Sequence, residues 1–338
     1  MKVGITYDLR SEYLKMGFSE EETAEFDQEG TIDAIESILN ELNFQTERIG
    51  HIKQLVARLS KGHRWDLVFN ICEGMYGNGR EAQVPALLDA YNIPYVFSSP
   101  LALTLTLDKG LTKRVIRDAG LATPEFYVVS SLVDTEKINL PFPLFAKPVA
   151  EGTGKGINSS SVINNLEELK NQCSVLLSEF NQAVLVEKYL TGREFTVGVV
   201  GTGNHARTVG TMEIVLKENA EENVYSYVNK EQCETLIEYK PVLGIEKDAC
   251  EALALEAYKL LDCEDGGRVD IRMDENGNPN FLEINPLAGL HPEHSDLPIL
   301  CHLNGIPYLE LMRMIMNSAI KKVRIKTTVN DMNFKAEP

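Results

Sequence analysis

Apolar positions over the first hundred residues switch between a period of two and a period near 3.6, which marks strands alternating with helices. Lys2 to Tyr7 reads as a strand, and Ile32, Ile35, Ile38, Leu39 and Leu42 then fall at helical spacing. Gln45 to Ile49 follows as a strand, Ile52 to Leu59 as a helix and Trp65 to Cys72 as a buried strand. Ala82 to Tyr91 reads as a helix and Tyr95 to Phe97 as a short strand. This order predicts an open parallel sheet with helices on both faces. Beyond Pro100 the pattern changes. Leu103 to Ala119 reads as one helix, and Phe126 to Val129 and Leu144 to Lys147 as strands, the second stopped by Pro148. A glycine-rich loop, a helix from Leu166 to Leu177 and a strand from Ala183 to Glu187 complete a small α+β unit. Strands at Phe195 to Val200 and Thr208 to Val215 precede an amphipathic helix with Cys250, Leu253, Ala254, Ala257 and Leu261 on one face. A hairpin and a helix from Tyr308 to Ala319 close the fold, which therefore mixes α/β and α+β classes. The expected units are an N-terminal open parallel α/β domain (1–104), a small central α+β domain (105–190), a C-terminal α+β domain (191–325) and a tail (326–338).

The hairpin carries the first chemical signal. Arg268 to Met273 and Asn280 to Asn285 alternate in polarity, and Asn276-Gly277 lies between them. Asn-Gly favours a two-residue type I′ turn, which requires positive φ at both positions. With that turn, Asp270 faces Glu283 and Arg268 faces Asn285, all on one face. Opposed carboxylates repel, so they call for a cation or a raised pKa. Asp270, Glu283 and the Asn285 amide form an all-oxygen set suited to Mg²⁺, or to Mn²⁺. Arg268 beside them would stabilise charge on a phosphoryl group or a tetrahedral oxyanion. The alternative is a half-exposed hairpin with solvated charges.

Composition narrows the partners. Apolar residues make up 43% of the 338-residue chain and charged residues 25%, ordinary values for a globular protein. A formal net charge of −17 argues against nucleic acid and against an anionic membrane surface. Met1 to Tyr7 is too short an apolar run for a signal peptide, and no apolar run reaches membrane-spanning length. Cys72, Cys173, Cys233, Cys250, Cys263 and Cys301 form no C-x-x-C pair, which points to reduced core thiols in a cytoplasmic protein.

An acidic protein that binds a nucleotide must supply cations locally, and several are suitably placed. Lys147 ends a strand before the loop Glu151-Gly152-Thr153-Gly154-Lys155-Gly156. Alternating glycines let backbone N–H groups approach phosphate oxygens, and Thr153 and Lys155 add donors. The loop is neither a Walker A nor a Rossmann fingerprint. Lys109, with Lys113 one turn later, is a second phosphate candidate, against the alternative of a solvated helix face. The strand ending Glu187-Lys188-Tyr189-Leu190 could read adenine through its backbone, with Glu187 or Glu194 accepting from the exocyclic amine or the ribose hydroxyls.

In order and spacing these segments resemble the ATP-grasp fold, in its D-alanine–D-alanine ligase branch. The resemblance runs from Trp65 to Leu311. It is carried by Leu107-Asp108-Lys109 with Thr112-Lys113, and by Phe145-Ala146-Lys147-Pro148 with Glu151-Gly152. Leu185 to Val197, Gly267-Arg268-Val269-Asp270 and Leu282-Glu283-Ile284-Asn285-Pro286 with Gly289 continue it. It implies that Lys109 and Lys147 hold phosphates with the glycine loop (Glu151, Gly152, Gly154, Gly156), that Glu187, Lys188, Tyr189 and Leu190 frame adenine, and that Glu194 binds ribose. It implies two Mg²⁺ ions on Asp270, Glu283 and Asn285, and Arg268 as the transition-state cation. Thr153 stands at the family's loop serine, and Lys230 where the family keeps a lysine near the phosphates. It further implies small-molecule substrates and a homodimer.

Departures from the family gather at the substrate end. Tyr7 leads not into a Gly-Gly-x-Ser-x-Glu loop but into a longer acidic stretch with Glu12, Glu20, Glu21, Glu22, Glu25, Asp27 and Glu29. The His-Gly-x-x-Gly-Glu-Asp-Gly motif becomes Glu73-Gly74-Met75-Tyr76-Gly77-Asn78-Gly79-Arg80, while Gln83 still matches. Glu231 replaces the tyrosine expected after Lys230. The expected activity is an Mg-ATP-dependent, ADP-forming carboxylate–amine ligase acting on amino acids or dipeptides, through an acyl phosphate. Its altered pocket draws on Glu73, Arg80, Glu231, Gly289, His291, Glu293, His294 and Ser295. The alternatives are a genuine D-alanine–D-alanine ligase and a nucleotide-binding regulator without turnover. His51, His63 and His205 are expected to be ordinary surface or helix-end residues.

Overall fold

The structure is a computed structural model that describes residues 1–220, Asn229 and 233–334. Its described strands form three sheets. The first has order β2-β1-β3 and is parallel, with β1 at Lys2–Tyr7, β2 at Gln45–Arg48 and β3 at Leu67–Ile71. β3 is buried along its whole length although it ends the three-strand order, because helices cover both faces and the Tyr95 segment lies along its outer edge. Tyr95 joins it only by an isolated parallel bridge to Val68, so the short strand expected there is not a full one. Helices Glu29–Glu41, Ile52–Ser60 and Gln83–Ala90 supply the crossovers. His51 caps Ile52–Ser60 by accepting from the Lys53 N–H, a helix-end role as expected.

The second sheet is antiparallel with order β4-β7-β5-β6, formed by Phe126–Val129, Leu144–Pro148, Val162–Ile163 and Val184–Lys188. Helix Leu166–Phe180 packs its Leu169, Cys173 and Leu176 onto this sheet. The third, also antiparallel, has order β10-β9-β8-β11-β12. Its strands are Glu194–Val200 (β8), Arg207–Leu216 (β9), Ile237–Pro241 (β10), Gly266–Met273 (β11) and Pro279–Asn285 (β12). Cys250, Leu253, Ala254 and Ala257 of helix Ile245–Leu260, with Leu261 just beyond it, cover the sheet as the face read from the sequence, and Tyr258 joins them.

Three features of the chain differ from the sequence pattern. The helix expected from Leu103 to Ala119 is two helices, Pro100–Leu107 and Lys109–Asp118. Asp108 breaks it, because its extended backbone and a side chain accepting from the Leu111 N–H cap the second helix. Helix Asp296–Leu303 follows the hairpin where the sequence pattern predicts no element, and the last helix, Tyr308–Phe334, runs past Ala319. Those two helices bind the units together. Leu297, Leu300, Leu311, Met312 and Ile315 share one core with Val3, Ile5 and Phe69 of the parallel sheet and with Val200 and Met212 of the third sheet. The parallel sheet's loops are thereby held over one end of the hairpin.

Candidate active site

β11 and β12 pair in the register that the alternation predicts at the polar end: Arg268 opposite Asn285, and Asp270 opposite Glu283. The turn is not the two-residue type I′. Asp274 N–H donates to Asn278 O (2.9 Å) and Gly277 N–H to Asp274 O (3.1 Å), so the loop has three residues. Gly277 takes φ 79°, the left-handed position that completes this turn, whereas Asn276 is not among the positive-φ residues. The added loop residue would shift every pair by one. A bulge between Asp270 and Ile271, which leaves Leu282 without a partner on β11, shifts them back.

Around this polar patch the elements bring charges together across the gap between the two antiparallel sheets. Lys147 Nζ on β5 lies 3.3 Å from Glu283 Oε2 and 3.5 Å from Glu187 Oε1. Lys109, at the first turn of its helix, lies 3.8 Å from Glu283 and donates to Glu151 O at 2.5 Å. Burial alone would lower Lys147, but Glu187 and Glu283 outweigh it and hold the amine above the usual lysine range. For Lys109 burial prevails over Glu283 and its pKa falls. Lys113 is fully buried and pairs with Glu187 at 2.8 Å, so it is not on a solvated helix face. It also donates to Thr123 and to Phe281 O, which ties its helix to β12.

Arg268 is held between carboxylates. It pairs with Asp270, and its Nε lies 3.8 Å from Asp296, whose Oδ1 accepts from the Tyr239 hydroxyl at 3.2 Å. Asn285 Nδ2 donates to Asp270 at 3.4 Å. Two opposed carboxylates and an adjacent amide are the hard oxygen donors a small divalent cation takes, so this set fits such an ion.

Two hollows meet here. A narrow slot of about 60 Å³ runs between Phe145, Ile157, Tyr189, Leu190 and Leu282, with Lys147, Glu187, Glu194 and Glu283 at its edges. Phe145 and Tyr189 stack at 6.2 Å, and the Arg272 guanidinium lies 4.9 Å over the Tyr189 ring while reaching Glu194 at 3.3 Å. Such a flat apolar slit with polar ends suits a planar base. The second hollow, about 670 Å³, is walled by Arg268, Glu283 and Asn285 on one side and by Glu25, Asp27, Glu73 and Glu81 on the other.

The glycine loop lies between the two. Thr153, Gly154 and Gly156 take φ of 53°, 74° and 73°, and a Cβ on Gly156 would stand 2.7 Å from Pro148 Cγ. Glu25, from the acidic stretch after β1, anchors this loop. Its Oε1 accepts from the Gly152 N–H at 2.5 Å, and its Oε2 accepts from Arg80 Nη2 at 2.8 Å. Arg80 also donates to Ala150 O at 2.9 Å, and Lys155 pairs with Glu151 at 2.5 Å.

Of the residues singled out from the sequence, Gly289, His291, His294 and Ser295 line the larger hollow with Glu73, Glu151, Gly152 and Thr153. Ser295 Oγ accepts from the His291 N–H, and the His291 and His294 imidazoles lie 4.5 Å apart, tilted by 38°. Two expectations change. Arg80 is turned onto Glu25 and Ala150 and so is not available to a substrate carboxylate in this arrangement, and Glu293 is exposed and does not line the hollow. Lys188 lines the slot with its neighbours while pairing with Glu275 near the hairpin tip. Lys230 and Glu231 lie outside the described residues. Sequence reasoning missed Glu25, Asp27, Glu81 and Asp296 as wall residues. The acidic stretch was a visible signal for the first two, but nothing local says which loop such a stretch will meet.

Over residues 115–317 the sequence matches the family described as D-ala D-ala ligase C-terminus. It is 33% identical over 273 residues to a D-alanine–D-alanine ligase of Bordetella avium (strain 197N), covering 79% of this chain and 82% of that protein. It is 34% identical over 264 residues to one of Marinomonas sp. (strain MWYL1), covering 77% and 79%. A solved D-alanine–D-alanine ligase from Bacillus anthracis has the same fold, with a TM-score of 0.74 at 21% identity over 96% of this chain and 99% of that one. The VanG D-Ala:D-Ser ligase from Enterococcus faecalis gives a TM-score of 0.71 at 20% identity, covering 94% and 99%.

Proposed function

The chain belongs to the D-alanine–D-alanine ligase family, and from that premise we propose how its own residues divide the work. It is an ATP-dependent, ADP-forming ligase that joins a carboxylate to an amine, with small molecules as substrates and ATP and a divalent metal as cofactors. The observation that carries the assignment of roles is the position of Glu283, which lines both the flat slot and the larger hollow. Adenine lies in the slot against Phe145, Tyr189 and Leu190, with Glu187 and Lys188 at its edge and the ribose toward Glu194. The phosphates then reach Glu283, Lys109, Lys147 and the glycine loop, and the γ-phosphate faces the larger hollow.

There a carboxylate oxygen bonds to the γ-phosphorus as the bond to ADP breaks, giving an acyl phosphate. An amine then attacks the acyl carbon, phosphate leaves and the nitrogen loses a proton. Lys109 and Lys147 neutralise the transferring group, and Arg268 stabilises the oxyanion of the second step. Thr153 and the loop N–H groups orient the phosphoryl oxygens. Asp270, Glu283 and Asn285 would hold Mg²⁺, two ions in this reading, and the metal supplies charge neutralisation at the phosphates. Lys230 keeps its proposed place near the phosphates from the resemblance alone.

The substrates bind in the larger hollow, between Glu73 on one wall and Gly289, His291, His294 and Ser295 on the other. A second reading, D-alanine for both substrates, is favoured by the names of the relatives that are 33% and 34% identical. Glu73 in place of the family's histidine, and Glu25 reaching the loop from a longer acidic stretch, favour an altered pocket. A homodimer in the cytoplasm completes the proposal, supported by the resemblance. Among the described residues no helix is long and apolar enough to cross a membrane. Release of ADP over a panel of D- and L-amino acids, singly and in pairs, tests the proposal. ADP and dipeptide from D-alanine alone favour the second reading; no amino-acid-dependent ADP would leave a nucleotide-binding regulator as the surviving account.

A further inference from the structure

The charges around the larger hollow balance on one side and not on the other. Glu25 is matched by Arg80 and Lys155, Glu151 by Lys155, Glu283 by Lys109 and Lys147, and Asp296 by Arg268, every one within 4 Å of a cation. Asp27, Glu73 and Glu81 also line the hollow, and among the described residues none of the three has such a partner. They come from separate points of the N-terminal unit. Asp27 lies in the acidic stretch and is fixed by the Leu9–Asp27 bridge, Glu73 follows β3, and Glu81 sits in the one-turn helix Arg80–Ala82. Backbone contacts hold these positions. Arg10 N–H donates to Asp27 O at 2.9 Å, and the Gly74 N–H beside Glu73 donates to Asp8 Oδ2 at 2.9 Å.

Burial pushes Glu73 well above the usual carboxylate range and raises Asp27, against a hydrogen bond from Thr31, and Glu81 to about 7. Burial leads for each. Glu81 and Glu25 add to it at Glu73, and Asp8 adds to it at Asp27. At Glu81 the nearby Arg80 offsets part of the rise. The hollow counts as a substrate site on other grounds, namely Arg268, Glu283 and the glycine loop, and the acidic wall speaks only to the charge of what enters it. One α-ammonium group would match one carboxylate and leave two partly buried charges or protonated acids beside it.

Resting on the ligase reading, we infer that one of the two substrates is a diamino acid, whose side-chain ammonium is taken by Glu73 and Glu81 on the N-terminal wall while its α-ammonium lies toward Asp27. A volume of about 670 Å³ accommodates a side chain of lysine or ornithine length beside a second amino acid. Glu73 at the family's histidine position, with Glu81 beside it, makes a site that favours a cationic side chain, because only an ammonium group offsets the repulsion between the two carboxylates when both ionise.

ADP release from Mg-ATP tests this with lysine against norleucine and ornithine against norvaline, both enantiomers, each alone and with D-alanine as co-substrate. The expected result is a kcat/KM at least about 30-fold higher for the diamino acid than for its neutral isostere, the size of a desolvated charge contact. Glu73→Gln and Glu81→Gln should each shrink that ratio about tenfold or more, a readout independent of the fraction of enzyme folded. Equal or better turnover of the neutral isosteres overturns the inference and leaves the ligase reading standing. If no combination releases ADP, the ligase reading fails, and calorimetric titration of lysine and norleucine into protein with Mg-ATP then decides the charge assignment. Preferential binding of lysine sustains it; equal binding, or none, overturns it.

Discussion

Glu283 on β12 and Lys147 on β5 stand 3.3 Å apart, although they belong to different sheets and lie 136 residues apart in the chain. This contact closes the gap between the sheets at the point where the phosphates are placed. Replacing Glu283 with Gln keeps the shape and removes the charge that Lys147 and Lys109 now face. The expected outcome is a loss of turnover on the order of 100-fold at low Mg²⁺, partly recovered as Mg²⁺ is raised. Initial rates of ADP formation over a Mg²⁺ titration check it, and near-full activity at low Mg²⁺ would remove Glu283 from the metal site.

Arg268 makes its contacts with Asp270 and Asp296 and points at the hollow from the hairpin. Arg268→Met should lower kcat about 100- to 1,000-fold, the range for loss of one oxyanion donor, with a much smaller change in the KM for ATP. Steady-state kinetics with the best substrate pair separate the two effects. An equal rise in the ATP KM with kcat unchanged would make Arg268 a binding group instead.

Lys113 and Glu187 form a buried pair, and without Lys113 only Lys147, 3.5 Å away, still faces the Glu187 carboxylate. Lys113→Ala is expected to destabilise the protein by about 3 kcal/mol, the low end for breaking a buried pair, because that second cation remains. Lys113→Met combined with Glu187→Leu should recover part of that loss, since a buried pair exchanged for apolar groups is often near neutral. Urea unfolding followed by circular dichroism gives both values.

Much of this is legible along the chain because alternation fixes which side chains share a face. Asp270 and Glu283 can be opposed from their spacing alone, and Lys147 can be placed at a strand end by Pro148. The turn differs from the one that Asn-Gly predicts and the register still agrees, because the residue added to the loop is offset by the bulge at Leu282. Such compensation lies in hydrogen bonding between strands and leaves no local signature. Lys113 and Arg80 show the other limit. A lysine on a helix can pass for a solvated one, and a loop arginine for a substrate-pocket residue, until the chain brings Glu187 and Glu25 against them.

The acidic wall makes stability depend on pH. Asp27 and Glu81 titrate near 7 when folded, and near 3.8 and 4.5 when unfolded, so between those values the folded state holds more protons. Stability of the protein without substrates therefore falls as pH rises through this window, by up to about 1.4 kcal/mol per pH unit for one such group. Glu81→Gln should flatten the slope between about pH 5 and 7. Thermal unfolding across that range checks the sign, and an unchanged slope would mean that burial does not raise Glu81.

The central claim, transfer of the γ-phosphate to a substrate carboxylate, is tested most directly with oxygen-18 in that carboxylate. Using whichever amino-acid pair supports ADP release, the inorganic phosphate formed should carry one labelled oxygen, because the oxygen that attacks phosphorus leaves with it when the amine displaces phosphate. Unlabelled phosphate would contradict an acyl phosphate, and with it the roles of Lys109, Lys147 and Arg268 in forming and consuming it.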